Sequence, residues 1–427
     1  MKYKKYPQYK DSGVDWLGKI PSDWDVARVK NSSKIFNGAT PKSGTTEYWD
    51  GDISWIGPAD MGKISSRYIS GGARNITYSG YDSCGTTIIP EGSVILSSRA
   101  PIGKVAIAGK ELCTNQGCKS LIVNKYFSNI FIFYILTSNT VQLNLLGRGT
   151  TFLELSAEEL SSFNIPIPSL EEQQAIANYL DSATAKIDIL IEKQTKLIAL
   201  LKEKRQAVIS TAVTRGLENQ HGDWNKYRLD WVSSIVRGNI GFKKDELLDN
   251  GEYVALQYGK TYKVDEVNKK FEFYINKEFY KFSQLVHCGD TILISTSETV
   301  EDLGHSCFYN RDDLGLIGGE QILLKPDTKL LCDKYLYYSS KVFCSGLKKY
   351  ASGLKVFRFN TDDLKKIFIS IPSLENQQDI ANYIDDKTSK IDILIEKSTK
   401  SIVLLKERRV ALISAAVTGK INVREIA

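Results

Sequence analysis

The feature that most limits how this 427-residue chain can fold is a long repeat. Residues 168–214 align with residues 372–418 at a constant offset of 204, without a gap, and 34 of the 47 positions are identical. The eight residues KIDILIEK stand unchanged at Lys186–Lys193 and Lys390–Lys397. A duplication of this length means that one structural unit is written twice.

Each copy reads as a single long helix. Pro168 and Pro372 cannot lie within it, and Ser169 and Ser373 follow as N-caps. Glu172 has the capping-box spacing from Ser169, whereas Asn376 makes the second box weaker. No Gly or Pro intervenes before Gly216 and Gly419, which are natural stops. About 45 residues at 1.5 Å rise give a rod of roughly 65 Å. Its apolar residues recur every seven positions. In the first copy Leu180, Ile187, Leu201 and Val208 share one phase, with Gln194 in register. Leu190 and Leu197 take the second core phase, and Ile191 and Ile198 widen the stripe. The second copy repeats the pattern with Ile384, Ile391, Leu394, Ile395, Leu405 and Leu412, and Ser398 in register. Such a stripe must be covered. Either each rod packs on its own neighbouring domain, or the two rods pair as an intramolecular coiled coil, the better match to a heptad. Pairing would set Ile187, Leu190 and Ile191 against Ile391, Leu394 and Ile395 across a pseudo-dyad.

The repeat divides the chain into a globular domain (1–167), a rod (168–216), a second globular domain (217–371) and a second rod (372–427). The globular parts match only weakly. Asp23-Trp24 with Arg28-Val29 parallels Asp223-Trp224 with Arg228-Leu229, and GRGTTFLEL parallels ASGLKVFRF. β-Branched runs bounded by Gly, Pro or charge predict short strands: VILSS, KVAIAG and KSLIVN, then DTILIST, EQILLKP and KIFISIP. FSNIFIFYILTSN and DKYLYYSSKVFCSGLKKY predict a helix before each rod. The expected class is α+β, with two mixed α/β domains, each followed by a long helix.

Composition narrows the function. No run of about 18 apolar residues predicts a membrane span. The basic start MKYKKYPQYKDSG lacks the apolar core of a secretory signal. Seven irregularly spaced cysteines suit reduced thiols in a cytoplasmic protein. Net charge is +6, yet residues 217–371 balance 22 Lys+Arg against 22 Asp+Glu, so any nucleic-acid face must be a local patch. No phosphate-binding glycine loop, Asn/Asp-Pro-Pro-Tyr/Phe loop, Gly-x-Ser-x-Gly elbow or paired metal-ligand spacing occurs, so no catalytic or metal site is expected.

Several stretches do suit nucleic acid. ATPKSGTTEYWDGDISWI offers Lys42, Ser43, Thr45 and Trp55. LSSRAPIGKVAIAG offers Arg99 and Lys104, and TNQGCKS offers Asn115, Gln116 and Lys119. RGNIGFKKDE places Arg237, Lys243 and Lys244 around two glycines. Arg, Asn and Gln read base edges, while Lys, Ser and Thr hold phosphates. The same residues also suit ordinary solvated loops.

These motifs together resemble the specificity (S) subunit of type I restriction-modification systems. The resemblance rests on the duplicated Pro-Ser-Leu-Glu-x-Gln-Gln rod start, DSGVDWLGKIPSDW, GATPKSGTTEYWDGDISWI, SSRAPIGK and TNQGCKSL, and covers nearly the whole chain. It implies two target-recognition domains, each reading half of a bipartite, asymmetric site in double-stranded DNA. It implies antiparallel rods that act as a ruler between them. The implied partners are two methyltransferase subunits and motor-nuclease subunits, with S-adenosylmethionine, ATP and Mg bound by those partners and no cofactor bound by this chain. The resemblance makes the S subunit non-catalytic and places it in the prokaryotic cytoplasm. Two departures stand out. Only HGDW precedes the second domain, and SETVEDLG and GGEQILL stand where EYWDGDI and TNQG are expected.

Overall fold

The computed structural model describes residues 4–64, 66–99, 101–149, 153–218, 224–299, 303–347 and 356–424. His221–Asp223 of HGDW, Ala351–Lys355, Thr150–Phe152, Val300–Asp302 and Lys348–Tyr350 of the stretches above lie outside the described residues. Two compact units form: residues 1–194 with 400–427, and residues 195–399. Each unit holds one head, the first half of the rod that follows it and the second half of the other rod.

In the first unit the strands are β1 (Tyr9–Asp11), β2 (Lys19–Pro21), β3 (Asp25–Arg28), β4 (Ser33–Asn37), β5 (Trp49–Ile56), β6 (Tyr68–Ile69), β7 (Arg74–Ile76), β8 (Val94–Ser97), β9 (Val105–Ala108), β10 (Cys113–Thr114), β11 (Cys118–Val123) and β12 (Asn164–Ile167). The main sheet has the order β4-β11-β8-β9-β6, with β6 parallel to β9 and the other neighbours antiparallel. A second sheet has the order β10-β5-β7. The run VILS is buried throughout because both faces of β8 are covered. Val94 and Leu96 join Phe131 and Ile135 of the helix Asn129–Ser138, while Ile95 joins Ile56, Met61 and Ile89 on the other side.

The second unit contains β13 (Asn225–Arg228), β14 (Ser233–Arg237), β15 (Tyr253–Leu256), β16 (Glu266–Val267), β17 (Tyr274–Ile275), β18 (Leu285–Val286), β19 (Thr291–Ile294), β20 (Thr296–Ser297), β21 (Ser306–Tyr309), β22 (Gly315–Ile317), β23 (Gln321–Pro326), β24 (Phe357–Arg358) and β25 (Phe368–Ile371). Its main sheet, β14-β23-β19-β21-β16, repeats the topology of the first, and β17-β15-β22-β18 repeats the small sheet with one strand added. The heads thus share a fold that their sequences barely show. The topology also corrects one reading. The start of SETVEDLG, Ser297–Thr299, lies between β19 and β21, the place that SSRAPIGK takes between β8 and β9, while the counterpart of EYWDGDI is β15.

The rods are unbroken helices, Leu170–Arg215 and Leu374–Val417. They pair antiparallel. In the first unit Arg409 Nε donates to Asp188 Oδ1 at 3.0 Å, and further along both chains Arg424 reaches Glu172. In the second unit Arg205 Nε donates to Asp392 Oδ1 at 3.0 Å. The offset of 204 carries one ion pair onto the other. Each KIDILIEK copy therefore faces the later half of the other helix, around Arg205 or Arg409, and the two copies do not face each other. Identical segments meet in an antiparallel pair only at its midpoint, and these lie before it.

Burial also corrects the phase of the seam. Leu180, Thr184, Ile187 and Leu201 are buried, as are Ile384, Thr388, Ile391, Ser398 and Leu412. Ile191, Gln194, Ile198, Arg205 and Val208 are half-buried, as are Ile395, Leu405 and Arg409. The second seam phase thus runs through residues 184, 191, 198 and 205. Leu190, Leu197 and Leu394, expected in that phase, are 46%, 42% and 48% exposed. Both coverings proposed for the stripe are realised, because Ile176 and Leu180 pack on the first head as well.

The two rod starts are anchored in the same way. Gln173 accepts from Ser128 N at 2.9 Å and donates to the Pro168 carbonyl at 3.1 Å. Gln377 accepts from Cys332 N at 2.8 Å and donates to the carbonyls of Leu330 and Pro372 at 3.0 and 2.9 Å. Ser169 and Ser373 cap as expected, accepting from the Glu172 and Asn376 amides at 3.3 Å. The reciprocal half of the first capping box does not form. The Glu172 carboxylate instead receives the Tyr6 hydroxyl at 2.7 Å, the Trp24 indole at 3.0 Å and Arg424. Two buried donors and an arginine satisfy a carboxylate better than one amide at a helix end. Through it the start of the chain, the first rod and the tail after the second rod are clamped together. The tail leaves its rod at Gly419 (φ +70), where a Cβ would meet Pro21 Cδ at 2.4 Å.

All seven cysteines are unpaired, and Cys113 and Cys118 are fully buried core residues. Among the described residues there is no cluster able to hold a metal ion, and no helix is long and apolar enough to cross a membrane.

Candidate nucleic-acid interface

In the first head two loops of the predicted set come together. The loop after β4 carries exposed Lys42 and Ser43, with Thr45 half-buried. It lies on the turn between β10 and β11 that carries Asn115 and Gln116. Ala39 N donates to the Thr114 carbonyl at 3.0 Å, and Thr40 Oγ1 donates to Gln116. The approach is so close that a Cβ at Gly38 would stand 1.9 Å from the Asn115 carbonyl oxygen. Asn115 Oδ1 holds the turn by accepting from Gly117 N at 2.9 Å. Trp55 supports the loop from beneath, its indole donating to the Ala39 carbonyl at 2.9 Å. It is a scaffold residue, with its ring edge-on to Trp49.

A third segment joins them that the sequence did not single out. The residues after β7 are stitched to the first loop: Thr77 N donates to the Tyr48 carbonyl at 3.0 Å, and Thr77 Oγ1 to the Glu47 carbonyl at 2.7 Å. Arg74, at the start of β7, stacks on Trp49 at 3.6 Å.

The second head builds the same three-part surface. Arg237 ends β14, and Lys243 and Lys244 follow on the next loop, all three exposed. Gly238 lies against the turn between β22 and β23, where a Cβ would stand 1.9 Å from the Gly318 carbonyl oxygen, as at Gly38. GGEQ therefore fills the place of Asn115–Cys118, with glycines where Asn115 and Gln116 stand. The segment after β17 is tied in by Gln284, which is 1% exposed. Its Oε1 accepts from Asn239 N at 2.9 Å and its Nε2 donates to the Arg237 carbonyl at 3.2 Å. Lys281 Nζ donates to Asn239 Oδ1 at 3.1 Å.

The other predicted residues lie apart from this surface. Arg99 pairs with Glu154 at 3.0 Å, and Lys119 reaches the same carboxylate at 3.7 Å. Lys119 is only 5% exposed, so this cation is spent inside the head rather than offered to a phosphate. Its alternation on β11 turns it inward. Lys104 is exposed and lines a cavity of about 700 Å³ with Arg67, Tyr134, Asp181, Asp188 and Arg409.

That cavity marks where the first head meets the rods. Asp181 accepts from Arg67 at 2.5 Å and from the Tyr134 hydroxyl at 2.6 Å. Burial and this bond push the Tyr134 hydroxyl up to about 12. In the second unit Asp385 stands 204 residues on and accepts from Lys334 and Tyr338. The residue before the edge strand differs in sign, being Arg67 before β6 and Asp265 before β16. Asp265 accepts from Lys341 at 2.6 Å and from Arg205 at 3.2 Å. Burial alone would raise its pKa, but Lys341 and Arg205 together hold it below the usual carboxylate range.

Two similar heads, each presenting joined loops, on rods with equivalent contacts call for a relative with the same double construction. Residues 21–199 and 221–402 each match the type I restriction modification DNA specificity domain. The chain belongs to that family. The specificity chain is 27% identical to the type I restriction enzyme MjaIX specificity subunit of Methanocaldococcus jannaschii, covering all of this chain and 99% of that one. It is 21% identical to the EcoBI specificity subunit of Escherichia coli, over 96% of this chain and 89% of the other. Among solved structures, the HsdS subunit from Thermoanaerobacter tengcongensis shares the fold at a TM-score of 0.56, with 17% identity, over 94% of this chain and 98% of that one. A chain described under "Structural basis underlying complex assembly and conformational transition of the type I R-M system" superposes at a TM-score of 0.73, with 16% identity, over 93% and 98%. As a specificity chain it is the non-catalytic component of its enzyme.

Proposed function

We propose that each head reads one half of a bipartite, asymmetric site in double-stranded DNA through its three joined loops, and that the rods set the gap. The observation that carries this reading is the contrast between equivalent scaffolds and unlike loops. Strand order, rod anchors and seam contacts repeat, while Asn115 and Gln116 in one head become Gly318 and Gly319 in the other. In the first head the contacts are Lys42, Ser43, Thr45, Asn115 and Gln116. In the second they are Arg237, Lys243 and Lys244. Amide side chains suit base edges and lysines suit phosphates.

The exposed apolar residues of the rods support partner docking. Ile189, Leu190, Val403 and Leu404 in the first unit, and Leu197, Leu200, Ile393 and Leu394 in the second, are each more than 40% exposed. Two methyltransferase subunits dock on these equivalent faces, with motor-nuclease subunits joining them. S-adenosylmethionine, ATP and Mg belong to those partners. Methylation profiling of cells that express this chain with a partner methyltransferase tests the reading. The expected result is one bipartite motif with a fixed gap and one modified adenine per strand. Replacing residues 217–371 with another head changes one half-site only. A motif that persists without this chain overturns the proposal.

A further inference from the structure

The two heads share one feature that their sequences do not align. In each, the segment stitched to the basic loop carries a large aromatic side chain turned into solvent. In the first head it is Tyr78, 69% exposed, beginning the short helix Tyr78–Asp82 after β7. In the second it is Phe282, 79% exposed, beginning the turn Phe282–Gln284 after β17. Both sit on rigid supports. Thr77 caps the Tyr78 helix by accepting from Gly80 N at 3.0 Å, and Gln284, two residues after Phe282, is buried and bonded to the Arg237 loop. The joined segments also carry exposed cations: Lys42 and Arg74 in the first head, and Lys277, Lys281 and Lys243 in the second.

A phenylalanine this exposed, on a turn held by a buried glutamine and close in sequence to lysines, offers a partner apolar area to bury. The cations identify that partner as a polyanion with apolar faces, which is DNA. The recurrence of the feature also limits its mode of contact. Heads that read different half-sites cannot both use the same base-specific contact. A contact with the flat faces of stacked bases tolerates any sequence.

We infer that Tyr78 and Phe282 are wedges that enter the stack at one base step in each half-site and bend the DNA toward its head. This rests on the reading that these loops bind DNA. Phe282 thereby contributes affinity through deformability of the step, and flexible pyrimidine–purine steps are favoured there.

The test uses the complete methyltransferase complex and a duplex carrying the motif found by methylation profiling, with 2-aminopurine at successive steps of each half-site. Wild-type binding raises the fluorescence at one step per half-site. Phe282→Ala abolishes the rise in one half-site and Tyr78→Ala in the other, each weakening binding about tenfold or more. The salt dependence stays unchanged, whereas Lys243→Ala lowers its log–log slope by about 0.9. Both aromatics are exposed, so the melting temperature of the free chain stays the same. If Lys243→Ala weakens binding while Phe282→Ala and Tyr78→Ala leave both affinity and fluorescence unchanged, the wedge is wrong and the loop reading stands. If none of the three changes binding, the loop reading itself falls.

Discussion

Gln173→Ala and Gln377→Ala should destabilise their respective units by similar amounts. Gln173 is 1% exposed and Gln377 fully buried. Each side chain joins the start of a rod to the segment leading into the helix before it. In the first unit the substitution leaves the Ser128 amide and the Pro168 carbonyl without their partner. In the second it strands the Cys332 amide and the carbonyls of Leu330 and Pro372. A buried polar group left unsatisfied costs about 1–3 kcal/mol. Two such groups at Gln173 and three at Gln377, less what entering water recovers, give about 2–4 kcal/mol at each site. Urea unfolding followed by tryptophan fluorescence, with hydrogen exchange read over residues 129–138 and 333–347, separates the two units. Gln173→Ala should speed exchange in the first segment and Gln377→Ala in the second. Gln→Glu keeps the acceptor but loses the donor, so it should retain part of the stability. A cost below about 0.5 kcal/mol at either site would refute the argument that these glutamines anchor the rods, since that is the range of ordinary surface substitutions.

Other outcomes follow from the same structure. Ile187→Ala, in the seam at 6% exposure, should cost about 2–4 kcal/mol in chemical denaturation. Leu190→Ala should cost well under 1 kcal/mol and instead weaken binding of the methyltransferase in a pull-down. The Asp265 carboxyl is held low by Lys341 and Arg205, so its contribution is present above the ordinary carboxylate pKa of about 3.9 and fades as pH falls through its lower folded value. Stability–pH curves of wild type and Asp265→Asn should therefore differ above pH ~5 and converge in acid. Gly38→Ala should displace the loop bearing Lys42 from the Asn115 turn. Methylation should then drop at sites defined by the first half-site, with the chain still folded by circular dichroism.

Much of the architecture was legible because it depends on periodicity and repetition. Strand and helix runs, rod boundaries and the double unit all come from local patterns. What the sequence missed came from packing. The heptad was visible, but whether Leu190 or Ile191 completes the seam depends on the side from which the second helix approaches. Glu172 has the spacing of a capping box, yet Tyr6, Trp24 and Arg424, distant in sequence, take its carboxylate. Lys119 resembles a phosphate contact until strand alternation turns it toward Glu154. Tyr78 and Phe282 drew no attention because an aromatic in a mixed stretch normally signals core, and only accessibility distinguishes the two.

The sequence by itself determined that one chain would carry two equivalent helices and two unlike heads, because a gapless repeat constrains every copy to the same local structure. It also pointed to the loop residues Lys42, Asn115, Arg237 and Lys243. Tertiary structure decided the partner of each KIDILIEK segment. Antiparallel pairing sets Asp188 against Arg409 and Asp392 against Arg205, so each copy meets the later half of the other helix rather than its own duplicate. It also decided which loops share a surface, because hydrogen bonds and the close approaches at Gly38 and Gly238 join segments that are tens of residues apart.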